Sequence, residues 1–280
     1  MISRILRVYS KVVKNISTFL EWVVESIWFV FQILFLNSHR RSVSSLSPAS
    51  RQLRFLLHGA ILMFAFSWII SRSPFASIFS QLRGDLNVAL FSPSSDISYF
   101  EHFQYIMLLW IAMLLIKIKR SNNLPATFFI PYLWMWLFAD DMFRLHDGLV
   151  SNYLLGIYSA IGADEYILFL RAKDVAELSY WLLLLPPLVI LSLILNSSGS
   201  LISKSIFAYN LRILFVLSLF GIGVDIFSPM INGGFLINGF LTFLEEFGEI
   251  LVVASGCIFH YELTVRKDLK SYLESCFPTR

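Results

Sequence analysis

Three glutamates interrupt an otherwise apolar run. Glu245, Glu246 and Glu249 stand within Leu241-Thr-Phe-Leu-Glu-Glu-Phe-Gly-Glu-Ile-Leu-Val-Val. On a helix Glu245 and Glu249 share a face, and Thr242 joins them. A carboxylate in hydrocarbon costs several kcal/mol unless it is paired, protonated or water-lined. Three within five residues therefore point to a polar interior rather than to chance. At about 1.5 Å per residue, Glu245 sits roughly 10–15 Å into its run and Glu249 nearer the midplane.

A second group is Phe138-Ala-Asp-Asp-Met-Phe-Arg-Leu-His-Asp-Gly. Asp140, Arg144 and Asp147 follow at i, i+4 and i+7, which predicts one helical stripe with Asp141 and His146 on its flanks. Asp140 falls about 10 Å below the nearer membrane surface, close to the depth of Glu245 and Glu246. Acidic clusters on two helices at one depth are what a cation site needs. The metal-ligand candidates are thus Asp140, Asp141, Asp147, Glu245 and Glu246. Carboxylate oxygens suit Mg²⁺, Ca²⁺ or Mn²⁺, and adding an imidazole admits Zn²⁺ or iron. The competing reading is structural: Arg144 neutralises the acids, and Asp147 and His146 are interfacial.

The catalytic candidates are Glu249, His102, His146 and Arg144. Glu249 would serve as a base or support the ligands, and either histidine could assist as general acid or base. Glu101 and His102 open their own apolar run, with Tyr105 one turn below Glu101. Asp174 and Glu177 read as acids favoured by a helix N-terminal dipole. Asp225 follows Gly221 and Gly223 at the end of another run. There is no P-loop, nucleophile elbow or HExxH pattern. Asp140-Asp141 is not the start of an Asp-rich diphosphate motif, because Arg144 stands where another acid belongs.

The elements that must hold these residues follow from composition. Of 280 residues, 57% are hydrophobic and only 15% charged, and the mean hydropathy is +0.70. A soluble domain is about 45–50% apolar and about 25% charged. The chain is therefore expected to be an all-α integral membrane protein, a polytopic helix bundle, and not a nucleic-acid binder. Six runs near the length of about 20 residues that a bilayer requires are predicted as spans. They cover Phe55–Ile70, Ser98–Ile118, Thr127–Leu145, Val175–Leu195, Ile206–Phe227 and Phe235–Phe259. Pro186-Pro187 should kink the fourth.

Residues 1–36 predict an amphipathic helix, with Arg4, Arg7, Lys11, Lys14, Glu21 and Glu25 opposite its apolar face. Its basic face suits a helix lying in the membrane plane, and a seventh crossing is the alternative. A basic, Ser-rich linker (37–54), the six-span bundle (55–262) and a charged tail (263–280) follow. Cys257 and Cys276 are expected to be unpaired thiols. No cleavable leader is expected.

Lys and Arg cluster in alternate loops, which places both termini in the cytoplasm. The net charge of +3 then divides unevenly. The outer half holds 14 acids against five bases, and the inner half the other 17 bases against five acids. These observations predict an acidic, cation-binding site facing the extracytoplasmic side. They fit a metal-dependent membrane enzyme acting on a lipid or extracytoplasmic substrate. They also fit a cation- or proton-coupled transporter, or a non-catalytic subunit with structural carboxylates. Expected partners are membrane lipids, a second copy of the chain or other membrane subunits.

Overall fold

The computed structural model describes residues 2–35, 46–72, 98–122, 129–160, 166–167, 170–197, 199–224, 231 and 234–276. Nearly all of these are helical. In chain order they form α1 (Ile2–Phe35), α2 (Pro48–Arg72), α3 (Tyr99–Asn122), α4 (Ile130–Phe143), α5 (Ser151–Ala160), α6 (Ala172–Ser197), α7 (Leu201–Ser218), α8 (Gly234–Val265) and α9 (Leu269–Cys276). A two-residue hairpin, β1 (Tyr166–Ile167) with β2 (Leu170–Arg171), precedes α6. Two π-helical turns, Leu145–Val150 and Leu219–Val224, follow α4 and α7.

Local chemistry sets several boundaries. Ser47, Ser98 and Ser200 precede α2, α3 and α7, and each side chain accepts a first-turn backbone N–H. Asp268 does the same for α9 through Ser271. Pro131 enters α4 in its first turn, where its missing N–H costs nothing. Arg144 ends α4 in the left-handed region, at φ 51°, with its N–H donating to the carbonyls of Asp140 and Asp141. It does what a C′ glycine ordinarily does. α6 runs on through Pro186 and Pro187.

Among the described residues, five helices are long and apolar enough to cross a membrane. They are Lys14–Ile33, Pro48–Ile69, Tyr99–Asn122, Ala172–Leu191 and Leu201–Val224. The fold is thus an all-α assembly of apolar helices, as composition predicts. α4, with 14 residues, and α8, with its glutamates, fall outside that set. Large apolar side chains such as Phe55, Leu62, Phe66, Leu183 and Ile194 stay exposed on the outer faces. Hydrocarbon rather than water suits such a surface.

α8 is the axis of the bundle. α1, α2, α3, α7 and the second π turn all contact it. From Val252 to His260 every one of its side chains is buried. Trp134, Tyr209, Ile111 and Ile213 fill the space around this stretch, and the Tyr209 ring stacks on Phe259 within it. Inside that core Trp134 Nε1 donates to Asn210 Oδ1 at 2.6 Å. At the end of α8, buried Glu262 accepts from Ser47 N and Oγ and from Arg266. This ties the segment before α2 to α8.

α1 runs antiparallel to α7, with about three turns of α1 meeting about two of α7. Phe19 and Trp22 meet Phe215, Glu25 lies 3.9 Å from Arg212, and Phe29 packs edge-on to Tyr209. Phe29, Val30 and Ile33 are buried in the core.

Candidate functional site

Glu245, Glu246 and Glu249, in the first half of α8, face a cavity of about 540 Å³. That is the size of ordinary small-molecule sites. α3 contributes Glu101, Gln104 and Tyr105, and α4 contributes Asp141. Arg144 and His146 come from the turn after α4, and Asp174 and Glu177 from α6. Glu245, Glu246 and Glu249 complete the polar lining. The two acidic groups separated by a hundred residues therefore do share one space.

Each acid is held differently. Asp140 is fully buried behind the wall. Its Oδ1 accepts from Tyr180 Oη at 2.7 Å, and its Oδ2 accepts from His146 Nδ1 at 2.6 Å. With Nδ1 donating, a neutral His146 ring presents its lone pair at Nε2. This is how a carboxylate fixes the tautomer of a ligating or basic histidine. Glu249 Oε2 accepts from Gln104 Nε2 at 3.0 Å, and Glu101 Oε2 from Tyr105 Oη at 3.1 Å. Asp174 takes a bidentate bond from Arg171, and Glu177 lies 3.3 Å from Lys173.

The predicted stripe of Asp140, Arg144 and Asp147 does not form. α4 ends at Phe143, and the left-handed Arg144 redirects the chain into a π turn. That redirection swings His146 back onto Asp140, six residues earlier. The Asp147 side chain lies outside the described residues, as does Asp225. His102 is exposed and donates from Nδ1 to the Ser98 carbonyl at 2.8 Å, while its neighbours Glu101 and Gln104 face the cavity. Of the nine residues singled out, six therefore line the cavity, Asp140 stands directly behind it and His102 points elsewhere.

For a metal, the described residues offer one compact donor set. Single ligand atoms of Asp140, Asp141 and His146 all lie within 4.8 Å of one another. Two carboxylates and an imidazole fit a divalent cation with mixed oxygen and nitrogen preference. Glu245, Glu246 and Glu249 share the cavity but do not join that set.

The sequence reading missed three residues. Gln104 lies three positions after Glu101 and so on the same helix face, a signal that was available. Tyr180 follows Glu177 at the same spacing. Gly221, on the second π turn, abuts the Glu249 carboxylate, and no local pattern points to it. No known family model, curated protein or solved structure matches the chain.

Proposed function

We propose that this protein is a membrane-embedded, metal-dependent enzyme whose substrate is a lipid or enters from the extracytoplasmic side. One observation carries the reading over transport. The charged lining of the cavity sits towards one end of the bundle, its deeper walls on α6 and α7 are apolar, and the packed stretch around Val252–His260 carries no cavity lining. A transport path would want polar lining through both halves, whereas a reaction site needs only a dry, shaped chamber.

In this reading Asp141 and His146 Nε2 hold the cation, and Asp140, itself held by Tyr180, orients the histidine. A divalent cation there would polarise a substrate oxygen as a Lewis acid. Glu249, fixed by Gln104, is placed to take or return a proton, and Arg144 to meet developing negative charge. Glu245 and Glu246 tune the field of the cavity.

The reading includes seven crossings, formed by α1, α2, α3, α4, α6, α7 and α8. The antiparallel run of α1 along α7 supports a crossing α1 over one lying in the membrane plane. Lys and Arg in the segments before α2, after α3 and after α8 support a cytoplasmic C-terminus. The N-terminus then faces outward, and so does the cavity.

The test is the metal content of purified protein. The wild type is expected to retain a divalent cation, and Asp141→Asn and His146→Ala to lose it while remaining folded. Unchanged metal content in folded variants would sink the metal reading. Cation or proton flux in liposomes, abolished by Glu249→Gln, would turn the assignment to transport.

A further inference from the structure

The cavity does not end at its carboxylates. Along α6 its lining runs Asp174, Glu177, Leu178, Trp181, Leu185 and Val189, one face of a helix that is charged at its start and apolar thereafter. From Asp174 to Val189 this face extends about 22 Å, against roughly 30 Å for a bilayer's hydrocarbon core. Leu211, Leu214 and Phe215 of α7 and Leu133 and Leu137 of α4 form the facing walls. The first turns of α6 bury Ala172, Asp174, Ala176 and Tyr180. Between Trp181 and Ile194, by contrast, no described side chain of α6 is buried. The outer end of α6 is thus anchored, and its deeper half borders an apolar slot.

The polar end has a sign as well as a place. Seven carboxylates line it, from Glu101, Asp141, Asp174, Glu177, Glu245, Glu246 and Glu249. Among the described residues Arg144 stands against them on the wall, and Arg171 and Lys173 are paired from outside. Counted over these described groups, one divalent cation would halve the formal excess and leave it negative. A phosphate headgroup entering there meets like charge. An ammonium meets hydrogen-bond acceptors of opposite charge in a low-dielectric site.

We infer that the cavity binds a single-chain lipid amine, with its ammonium among the carboxylates and its hydrocarbon tail in the slot between α6 and α7. This deepens the enzyme reading by naming its substrate class and rests on the cavity being the substrate site. Tail and head act together. The apolar slot alone would take any chain, and the acids alone any soluble cation.

The experiment uses the full-length protein in nanodiscs and a diazirine-bearing octadecylamine as photoprobe. Labelling is expected on α6 and α7 peptides, competed by octadecylamine and not by butylamine. Leu185→Trp, which fills the slot, should cut labelling by at least about tenfold. Ile190→Trp, on the exposed face, should leave it unchanged. Equal labelling by a diazirine-bearing lysophosphatidic acid, or full labelling of Leu185→Trp, would overturn the inference. Metal content separates the two readings. Metal retained without amine labelling leaves the metal site standing and removes the lipid amine. Labelling of a metal-free Asp141→Asn protein does the reverse.

Discussion

Gly221 and Glu249 meet so closely that the first has no room for a side chain. A methyl group at Gly221 would overlap the carboxylate oxygen Oε1 of Glu249. The contact exists because the π turn Leu219–Val224 presses onto α8. π turns within helices recur at functional sites. The atom in the way is the far end of a flexible side chain, so Gly221→Ala should displace the carboxylate rather than the backbone. The expected cost is about 1 kcal/mol, read as a lower Tm. In a Glu249→Ala background the same substitution should cost less, since the obstructing oxygen is gone. Additive losses would show that the contact is not the cause.

Gly248 gives a sharper version of the same test. A Cβ there would collide with the ring of Phe220, a rigid body with no soft end to yield. Gly248→Ala should therefore cost more than Gly221→Ala, about 2–3 kcal/mol. Chemical unfolding in matched detergent compares the two. A smaller loss at Gly248 than at Gly221 would contradict the packing described here.

Asp140 predicts a split between stability and metal binding. Tyr180→Phe leaves the buried Oδ1 without its donor, at a cost of about 1–3 kcal/mol. It keeps the His146 bond, so metal affinity should change little. Asp140→Asn disturbs the partner that orients His146, and metal affinity should fall about 10–100-fold. Titration of the stripped protein with Mn²⁺ or Zn²⁺ reads both. Equal losses of affinity in the two variants would deny Asp140 its orienting role.

Some of this site was legible because hydrocarbon penalises charge. Glu245, Glu246, Glu249, Asp140 and Asp141 announce themselves by their price in an apolar run, and their common depth follows from helix rise alone. Other parts were not legible. The pairing of His146 with Asp140 depends on a chain reversal at Arg144, a non-glycine residue in a conformation that its type does not advertise. Tyr180 and Gly221 are ordinary residues whose meaning is tertiary. Asp174 and Glu177 looked like caps, and the same residues turn out to line the cavity. Four of the six predicted spans overlap helices long and apolar enough to cross a membrane, since length and hydropathy decide them; Thr127–Leu145 and Phe235–Phe259 do not, and Lys14–Ile33 adds a fifth. The placement of α1 was not legible, because an amphipathic helix satisfies both an in-plane and a crossing arrangement.

At the far end of the bundle Glu262 is buried and binds both Ser47 and Arg266. Arg266 also lies over the Tyr272 ring, 4.6 Å from its centre. One carboxylate thereby ties the segment before α2, the end of α8 and α9 together. Glu262→Ala should cost about 1–3 kcal/mol, with the metal content unchanged because Glu262 lies about 20 Å along α8 from Glu249. Ser47→Ala should cost less, since Ser47 N–H still reaches the carboxylate. Metal loss on Glu262→Ala in folded protein would show the two ends to be coupled.

The direction of α1 is the most consequential prediction for topology. Its partners descend α7 in order, from Phe215 to Arg212 to Tyr209, as α1 ascends from Phe19 to Phe29. A helix lying flat on the membrane would cross an upright α7 at one point, whereas this register covers about three turns of α1 and about two of α7. A crossing α1 puts Arg4, Arg7, Lys11 and Lys14 on the outer side, against the usual bias of basic residues. In the proposed topology that side also holds the carboxylates of the cavity, so local attraction would offset the bias. A cysteine placed at Ser3, in a Cys276→Ser background, should react with an impermeant maleimide in intact cells. A cysteine restored at position 276 should react only after permeabilisation. Protection of both until permeabilisation would return α1 to the membrane plane and require the contacts with α7 to be made from the cytoplasmic surface.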